Sequence, residues 1–299
     1  MQHFCWLVAR TVRLKGLVVL SLVLGALLGA EYLFSPGPDA PMVMRSLVAL
    51  AAPTAATAPF ETLIRHDPLA AMIQARAQHL SKVRDYECRM VKQELLPSGM
   101  SEEQEIKVKY RQEPYSVYME WLRNPGPAAR VLYVKGRWTD ENAEDPADRE
   151  LAVVQPGIIA RLFVKSVKRP IHGRAARDTS RRFVDDFGFQ KTFDRLIKYC
   201  QLAHSRGELS LAFCGERRFD GRRVWVIRRH LPYTGEGGLY PDRTAEILID
   251  QRYRVPVAVY CYSDEEQKPG YLICKYEFRG IHMGAGLTSE DFEPATYGM

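Results

Sequence analysis

Apolar and polar side chains alternate with a period of two along much of the chain. Between residues 105 and 111, Ile106, Val108 and Tyr110 alternate with charged residues, so one face of an extended strand is apolar and the other is charged. Residues 115–121 repeat the pattern and direct their larger apolar side chains to one side. Such alternation is typical of antiparallel strands buried on one face. It predicts that a large one-sided antiparallel sheet is the centre of the fold.

Two segments show a helical period instead. Asp67 and Pro68 precede apolar residues spaced three or four apart; this predicts a helix over residues 68–83 with Asp67 as its N-cap. A second apolar stripe begins at Phe189 and predicts a helix that ends near Gly207. Packing of this helix against the core explains the stripe. The alternative is that the helix forms a lid over a cavity. The predicted fold class is therefore α+β, with strands in the majority.

The N-terminal region has a different character. Arg10, Arg13 and Lys15 precede an uncharged apolar run of 15 residues, 16–30, which is typical of an export signal. The run is either cleaved or, extended by a few residues, retained as a membrane anchor. An Ala- and Pro-rich stretch without sustained periodicity follows and indicates a linker. We predict three parts: 1–35 as signal or anchor, 36–66 as linker, and 67–299 as a domain on the periplasmic side of the inner membrane.

Charge restricts the possible partners. The formal net charge of +6 over 299 residues is too small to indicate nucleic-acid binding. Basic residues are nevertheless concentrated between residues 161 and 182, where there is one acid, Asp178. This segment is either a solvated mobile surface or a docking surface for anionic lipid head groups or an acidic partner. Its basic residues are Arg161, Lys165, Lys168, Arg169, Arg174, Arg177, Arg181 and Arg182.

The cysteines matter because an exported domain encounters oxidising conditions. Cys261 and Cys274 flank the predicted turn at residues 264–270 almost symmetrically, which predicts that they lie opposite each other on neighbouring strands. A disulfide between them is one interpretation, and free buried thiols are the other. No Cys or His spacing in the sequence indicates zinc, so we predict no metal site.

The sequence contains no motif of common catalytic chemistry: no GxSxG, HExxH, phosphate-binding loop or dinucleotide fingerprint. The acid pair Asp185–Asp186 precedes the second predicted helix and is explained more simply as its N-terminal cap than as a catalytic dyad. The histidines of the exported part stand singly. We predict a protein without catalytic residues or cofactor, with a histidine-dependent hydrolase as a remote alternative.

Three stretches resemble a known bacterial family, the domain of unknown function 1571. They are Asp-Tyr-Glu-Cys at 85–88, Arg-Gln-Glu-Pro-Tyr-Ser-Val-Tyr-Met at 111–119, and residues 286–297 with their Gly-Leu-Thr-Ser-Glu-Asp-Phe start. The resemblance extends over roughly residues 68–297. It implies membership of a family without an established activity.

A more distant resemblance is to the LolA/LolB lipoprotein carriers. It rests on the predicted helix at Pro68, the strand at 111–121, the hairpin at 248–256 and the terminal Asp-Phe-Glu-Pro at 291–294. It implies a large curved antiparallel sheet, or an incomplete β-barrel, whose concave face is covered by an N-terminal helix and a second helix. The basic segment and the predicted anchor depart from these carriers and favour a tethered protein over a soluble carrier.

The functional expectation is a non-enzymatic envelope protein that binds lipid or an acylated protein in an apolar cavity between sheet and helices. The alternative is a periplasmic regulatory or scaffolding module that binds a protein partner with the same fold. The predicted cavity-lining residues are Val117, Met119, Trp121, Tyr133, Phe189, Phe193 and Trp225.

Overall fold

The computed structural model describes residues 59–157 and 163–299. Within these residues, twelve strands form one open, curved antiparallel sheet, and helices pack over one face of it. The α-helices are α1 Phe60–His66, α2 Pro68–Lys82, α3 Arg174–Thr179 and α4 Phe189–Ser205. The strands are β1 Asp85–Leu96, β2 Gly99–Met100, β3 Gln104–Arg111, β4 Ser116–Arg123, β5 Ala128–Val134, β6 Leu151–Pro156, β7 Val167–Pro170, β8 Ser210–Phe219, β9 Arg222–His230, β10 Thr244–Asp250, β11 Pro256–Tyr262 and β12 Leu272–Met283.

The first long strand and the last strand pair at the centre of the sheet. The strand order is β7-β6-β5-β4-β3-β1-β12-β11-β10-β9-β8, and β2 pairs with the end of β1. Met90 on β1 therefore lies opposite Phe278 on β12. This pairing joins two antiparallel meanders, one from each half of the chain. The predicted α+β fold with an open antiparallel sheet is confirmed.

The predicted alternation agrees with the observed burial, but the sheet is not one-sided. Ile106 and Val108 are buried on the face that carries the helices. On the opposite face, Tyr118 is also buried, because the C-terminal residues fold back over it. Its ring stacks on Tyr297 with centroids 3.7 Å apart, and Phe292 is buried beside it. The C-terminal stretch that resembles the family thus covers the second face.

The helical part of the N-terminal region begins one helix earlier than the sequence predicted. The Asp67 carboxylate accepts a hydrogen bond from the Ala70 N–H at 2.9 Å, so α2 has the predicted N-cap. Helix α1, however, falls within the range 36–66 predicted as a linker. It belongs to the folded part because Phe60 and Ile64 are buried, with the Phe60 ring 5.2 Å from that of Trp225.

Helix α4 packs on the centre of the sheet through an aromatic cluster. The Phe189 ring lies 4.6 Å from that of Tyr86 and 5.1 Å from that of Phe278. Tyr86 in turn stacks on Tyr110 at 4.7 Å. Gly188, which precedes α4, has φ +111° and ψ 163°, a region essentially restricted to glycine. A Cβ there would lie 3.1 Å from the Tyr110 ring, so the turn into α4 requires glycine.

None of the helices in residues 59–157 and 163–299 has the length and apolar character needed to cross a membrane. The predicted signal or anchor, 1–35, and most of the predicted linker lie outside the described residues.

We expect Gly188→Ala to lower the free energy of unfolding by about 2–3 kcal/mol, because it adds backbone strain to a contact with immobile buried rings. The matched control is Gly207→Ala. Gly207 also has a positive φ, +68°, but no heavy atom lies within 4 Å of its added Cβ. The control should therefore lose only about 1 kcal/mol. Urea unfolding measures the free energy of unfolding of both variants. Equal decreases in the two variants would show that the aromatic cluster does not constrain the turn at Gly188.

His79 on α2 predicts a pH-dependent stability. It is buried against the Phe189 ring, and burial lowers its pKa from 6.5 to about 4. Between these values, the unfolded chain binds a proton that the folded chain does not, so stability falls as the pH decreases below about 6.5. At pH 5 the loss should be about 2 kcal/mol relative to neutral pH.

Urea unfolding at pH 7 and pH 5 tests this effect. His79→Leu should remove that part of the pH dependence, whereas His204→Leu, at an exposed position on α4, should keep it. An unchanged pH dependence in His79→Leu would assign the effect to other groups.

Candidate functional site

A cavity of about 550 Å³ lies between the N-terminal half of the sheet and residues 163–188. This volume is within the range of about 300–1,000 Å³ that is typical of ligand pockets. The sheet side is formed by β1, β3, β4, β5 and β6, with contributions from β11 and β12. The other side, which we call the wall segment, comprises residues 163–188 and includes β7, α3 and the 3-10 turn Val184–Asp186.

Most of the sheet-side lining is apolar. Met90 on β1 pairs with Ile106 on β3 and with Phe278 on β12, and Ile106 pairs with Trp121 on β4. All four line the cavity. Because paired residues share one face of the sheet, they form a continuous apolar row across four strands. Further apolar lining comes from Met119, Val131, Ala152, Val154, Ile171, Ala175, Ala176 and Phe187.

The next row on the same face is polar. Lys92, two residues after Met90, pairs with Gln104 on β3 and with Tyr276 on β12. Lys92 Nζ lies 2.8 Å from Glu94 Oε2 and 3.0 Å from the Ser180 hydroxyl of the wall segment. The cavity is therefore amphiphilic, with an apolar row beside a buried charged end.

The Glu94 carboxylate has hydrogen-bond donors around it although it is almost fully buried. Its carboxylate accepts hydrogen bonds from Lys92, from the Tyr276 hydroxyl and from the Ser180 hydroxyl. Burial, Cys274 and Glu94 all raise the pKa of Tyr276, so this phenol keeps its proton and remains a donor. The buried carboxylate thus has a cation and two hydroxyl donors, as a buried charge requires.

Arg182 is the remaining cation at this end. Its guanidinium carbon lies 4.4 Å from the centroid of the Tyr276 ring, a cation–π contact. Among the described residues, no carboxylate lies within salt-bridge distance of the Arg182 guanidinium. Asp186, which also lines the cavity, instead pairs with Arg195 on α4.

The acid pair Asp185–Asp186 does not cap α4, so that prediction was wrong. The N-cap of α4 is Gly188, and no side chain caps the helix. Asp185 lies 3.0 Å from His172 Nε2, whereas Asp186 reaches forward to Arg195. The chain turns at Gly188 before the helix begins, which leaves both carboxylates in the wall segment.

Two of the predicted lining residues, Met119 and Trp121, line the cavity. The other five do not contribute to its lining; they are buried in the core. These are Val117, Tyr133, Phe189, Phe193 and Trp225. From α4, only Thr192 reaches the cavity, so the wall segment, and not α4, covers it.

The predicted basic surface forms most of the wall segment. Arg161 lies outside the described residues. The side chains of Arg181 and Arg182 are half-buried, and Arg181 pairs with Glu236 at 2.7 Å. The exposed members are Lys165, Lys168, Arg169, Arg174 and Arg177.

Cys261 and Cys274 are directly opposite each other on β11 and β12. Both are buried, and no disulfide joins them in the structure. The hydrogen bond between the two thiols lowers the pKa of Cys274 and raises that of Cys261. The disulfide between them stays a prediction.

Sequence reasoning missed Lys92, Glu94 and the inward side of the wall segment. Lys92 and Glu94 occupy polar positions in a strand whose neighbouring residues on the same face are apolar; this break in the alternation was the available signal. In the wall segment, Val167, Ile171 and Ala176 lie between the basic residues and face the cavity. Because basic residues are so frequent in this stretch, the short apolar pattern between them was not recognised.

Comparisons with solved structures return distant likenesses. MucB is 13% identical with a TM-score of 0.44, over 76% of this chain and 62% of MucB, so the chain spans less than two thirds of that protein. The lipoprotein LppX of Mycobacterium tuberculosis is 11% identical with a TM-score of 0.38, over 74% of this chain and 98% of LppX. A putative outer membrane lipoprotein-sorting protein domain of Vibrio parahaemolyticus is 12% identical with a TM-score of 0.32, over 77% and 98%. Among curated proteins, none matches this chain.

The family model described as "Protein of unknown function (DUF1571)" matches residues 83–297. This range begins just before β1 and includes the cavity, the wall segment and the C-terminal cover of the second face. The match extends over well more than half of the chain, and the chain therefore belongs to the DUF1571 family.

Proposed function

We propose that this protein binds an acyl chain, carried by a lipid or by an acylated protein, in the cavity under the wall segment. The observation that carries the proposal is the size and character of the cavity: about 550 Å³ with a continuous apolar row of Met90, Ile106, Trp121 and Phe278. A fully packed core would leave no such space. The role is one of binding and not of catalysis.

The physical driving force is the burial of methylene groups. At about 0.8 kcal/mol per CH₂, a long acyl chain contributes on the order of 10 kcal/mol before the costs of ordering. Contacts of this kind depend on size and shape more than on identity. The apolar part of the cavity would therefore accept a range of chains.

The cavity has an exposed edge through which a chain could enter. Gly126 and Pro127, between β4 and β5, line the cavity and are exposed. On the wall segment, Arg169 and Ala175 also line it and are exposed. We propose that the opening lies between the β4–β5 connection and the wall segment, away from the buried centre of the sheet.

The outer side of the wall segment supports contact with an anionic membrane. Lys165, Lys168, Arg169, Arg174 and Arg177 are exposed, and each would contribute about 1 kcal/mol near an anionic leaflet. The exposed Phe163, 84% accessible, adjoins them. A membrane contact here would bring the opening of the cavity close to a source of acyl chains.

Native mass spectrometry of the full chain purified from an envelope fraction tests the acyl-chain proposal. We expect a bound lipid or acylated species that is released by organic extraction. A clean apo mass with no binding of added fatty acid would contradict the proposal. A stoichiometric protein partner without lipid would favour the regulatory or scaffolding alternative instead.

Quenching by a brominated fatty acid locates the bound chain. Bromine in the cavity should quench the fluorescence of Trp121, so Trp121→Phe should lose most of the quenching. Trp138 packs with the cluster on the opposite face of the sheet, and Trp138→Phe is the matched control that should retain it. Equal quenching in both variants would place the bound chain elsewhere.

For the membrane contact, we expect Arg177→Glu to weaken co-sedimentation with phosphatidylglycerol-containing vesicles about tenfold, because it removes one cation and adds an anion. Arg218→Glu, an equal charge change at an exposed position on β8, should have little effect. Vesicles of phosphatidylcholine alone should show no difference between the variants. Equal weakening by both substitutions would indicate a general charge effect and contradict a specific surface.

A further inference from the structure

The charged end of the cavity has one positive charge in excess. Lys92 and Glu94 balance each other at 2.8 Å, and their side chains are only 9% and 1% exposed. Asp186 is balanced by Arg195. Arg182, which lines the same cavity, has no carboxylate partner among the described residues. An arginine remains charged at any physiological pH. This end of the site therefore carries a cation without a carboxylate at salt-bridge distance; the charge of Asp186, which pairs with Arg195, acts on Arg182 only from farther away.

The contact that holds Arg182 leaves its hydrogen-bonding edge free. The guanidinium carbon lies 4.4 Å from the centroid of the Tyr276 ring, and a cation–π contact of this kind does not require an oxygen acceptor for the N–H groups. Its guanidinium N–H groups make no hydrogen bond with another described residue. A planar fork of donors is the group that binds carboxylate or phosphate oxygens in two-point geometry.

The environment of Arg182 makes an anion favourable there. A charge that is partly removed from water is costly unless it is paired. The buried acid at this end of the cavity, Glu94, already accepts hydrogen bonds from Lys92, Ser180 and Tyr276. It therefore neither serves as a counter-ion for Arg182 nor contributes net negative charge that would repel a ligand.

The position of Arg182 relative to the apolar row specifies the shape of the ligand. Tyr276, on which Arg182 lies, is two residues before Phe278 on β12. Same-face neighbours along a strand are separated by about 7 Å, so the apolar row starts about one such step from the cation. A molecule with an anionic head group directly attached to an alkyl chain matches this arrangement.

We propose that Arg182 binds the anionic head group, a carboxylate or a phosphate, of a single-chain amphiphile whose alkyl chain occupies the apolar part of the cavity. This inference rests on the proposed acyl-chain binding and adds the class of head group to it. Arg169, exposed on the same wall and without a salt-bridge partner among the described residues, supplies a second cation at the edge of the cavity.

The test compares three ligands with the same twelve-carbon chain, laurate, dodecyl phosphate and dodecanol, below their aggregation limits. Dissociation constants are measured on the full chain by displacement of the brominated fatty acid from Trp121. We expect one or both anions to bind about 10- to 100-fold more tightly than the alcohol. The preferred anion distinguishes a fatty-acid head group from a phosphate one.

Substitutions assign the preference to Arg182. Arg182→Met keeps much of the aliphatic stem and should abolish the preference for anions, so that laurate and dodecyl phosphate bind no more tightly than dodecanol. Arg182→Lys should retain part of the preference, because it keeps the charge but loses the fork. Arg218→Met, at an exposed position on β8 outside the wall segment, is the matched control and should behave as the wild type.

The outcomes separate this inference from the proposed function. Wild-type protein that binds dodecanol as tightly as both anions would overturn the head-group assignment and leave acyl-chain binding intact. Failure of all three ligands to bind would overturn both. A preference for anions that persists in Arg182→Met would also refute the assignment to Arg182, and this result does not depend on the stability of the variant because binding of dodecanol reports its folding.

Discussion

The rest of the structure depends on a mismatch between the sheet and its helical cover. Eleven strands side by side, at a spacing of about 4.8 Å, span roughly 50 Å, whereas two adjacent helices cover about 20 Å. Helices α2 and α4 pack together, and neither α1 nor α2 lines the cavity. The apolar face under β3 to β6 therefore needs another cover. The wall segment provides this cover as a thin layer, and the cavity lies between it and the sheet.

The pairing of β1 with β12 connects the two parts of this arrangement. β1 carries Tyr86, which packs under α4, and also Met90, Lys92 and Glu94, which line the cavity. β12 continues both regions through Phe278 and Tyr276. Core and cavity are thus consecutive stretches of the same two strands, so the aromatic cluster determines the position of the cavity.

The charged groups that line the cavity are largely paired. The buried carboxylate is held by three donors, and in residues 59–157 and 163–299 no cluster of His, Cys, Asp and Glu has the geometry to hold a metal ion. What remains available is the Arg182 guanidinium beside an apolar row, with Arg169 at the edge of the cavity. Such a site can orient an amphiphilic ligand, and the exposed basic residues on the outside of the same wall segment would be suited to an anionic surface from which that ligand could come.

The sequence by itself determined most of the long strands, the two long helices and the family, but not the edge strand β7 within the basic segment. Alternation fixes which side chains share a face, as for Val117, Met119 and Trp121, and the Asp67–Pro68 pair marks where a helix begins. It did not determine which part of that face is filled. Val117 and Met119 have the same pattern and are both buried, yet only Met119 also lines the cavity. Only the tertiary structure decides this, because the filling depends on which distant segment lies over each position, and a two-residue period carries no information about that segment.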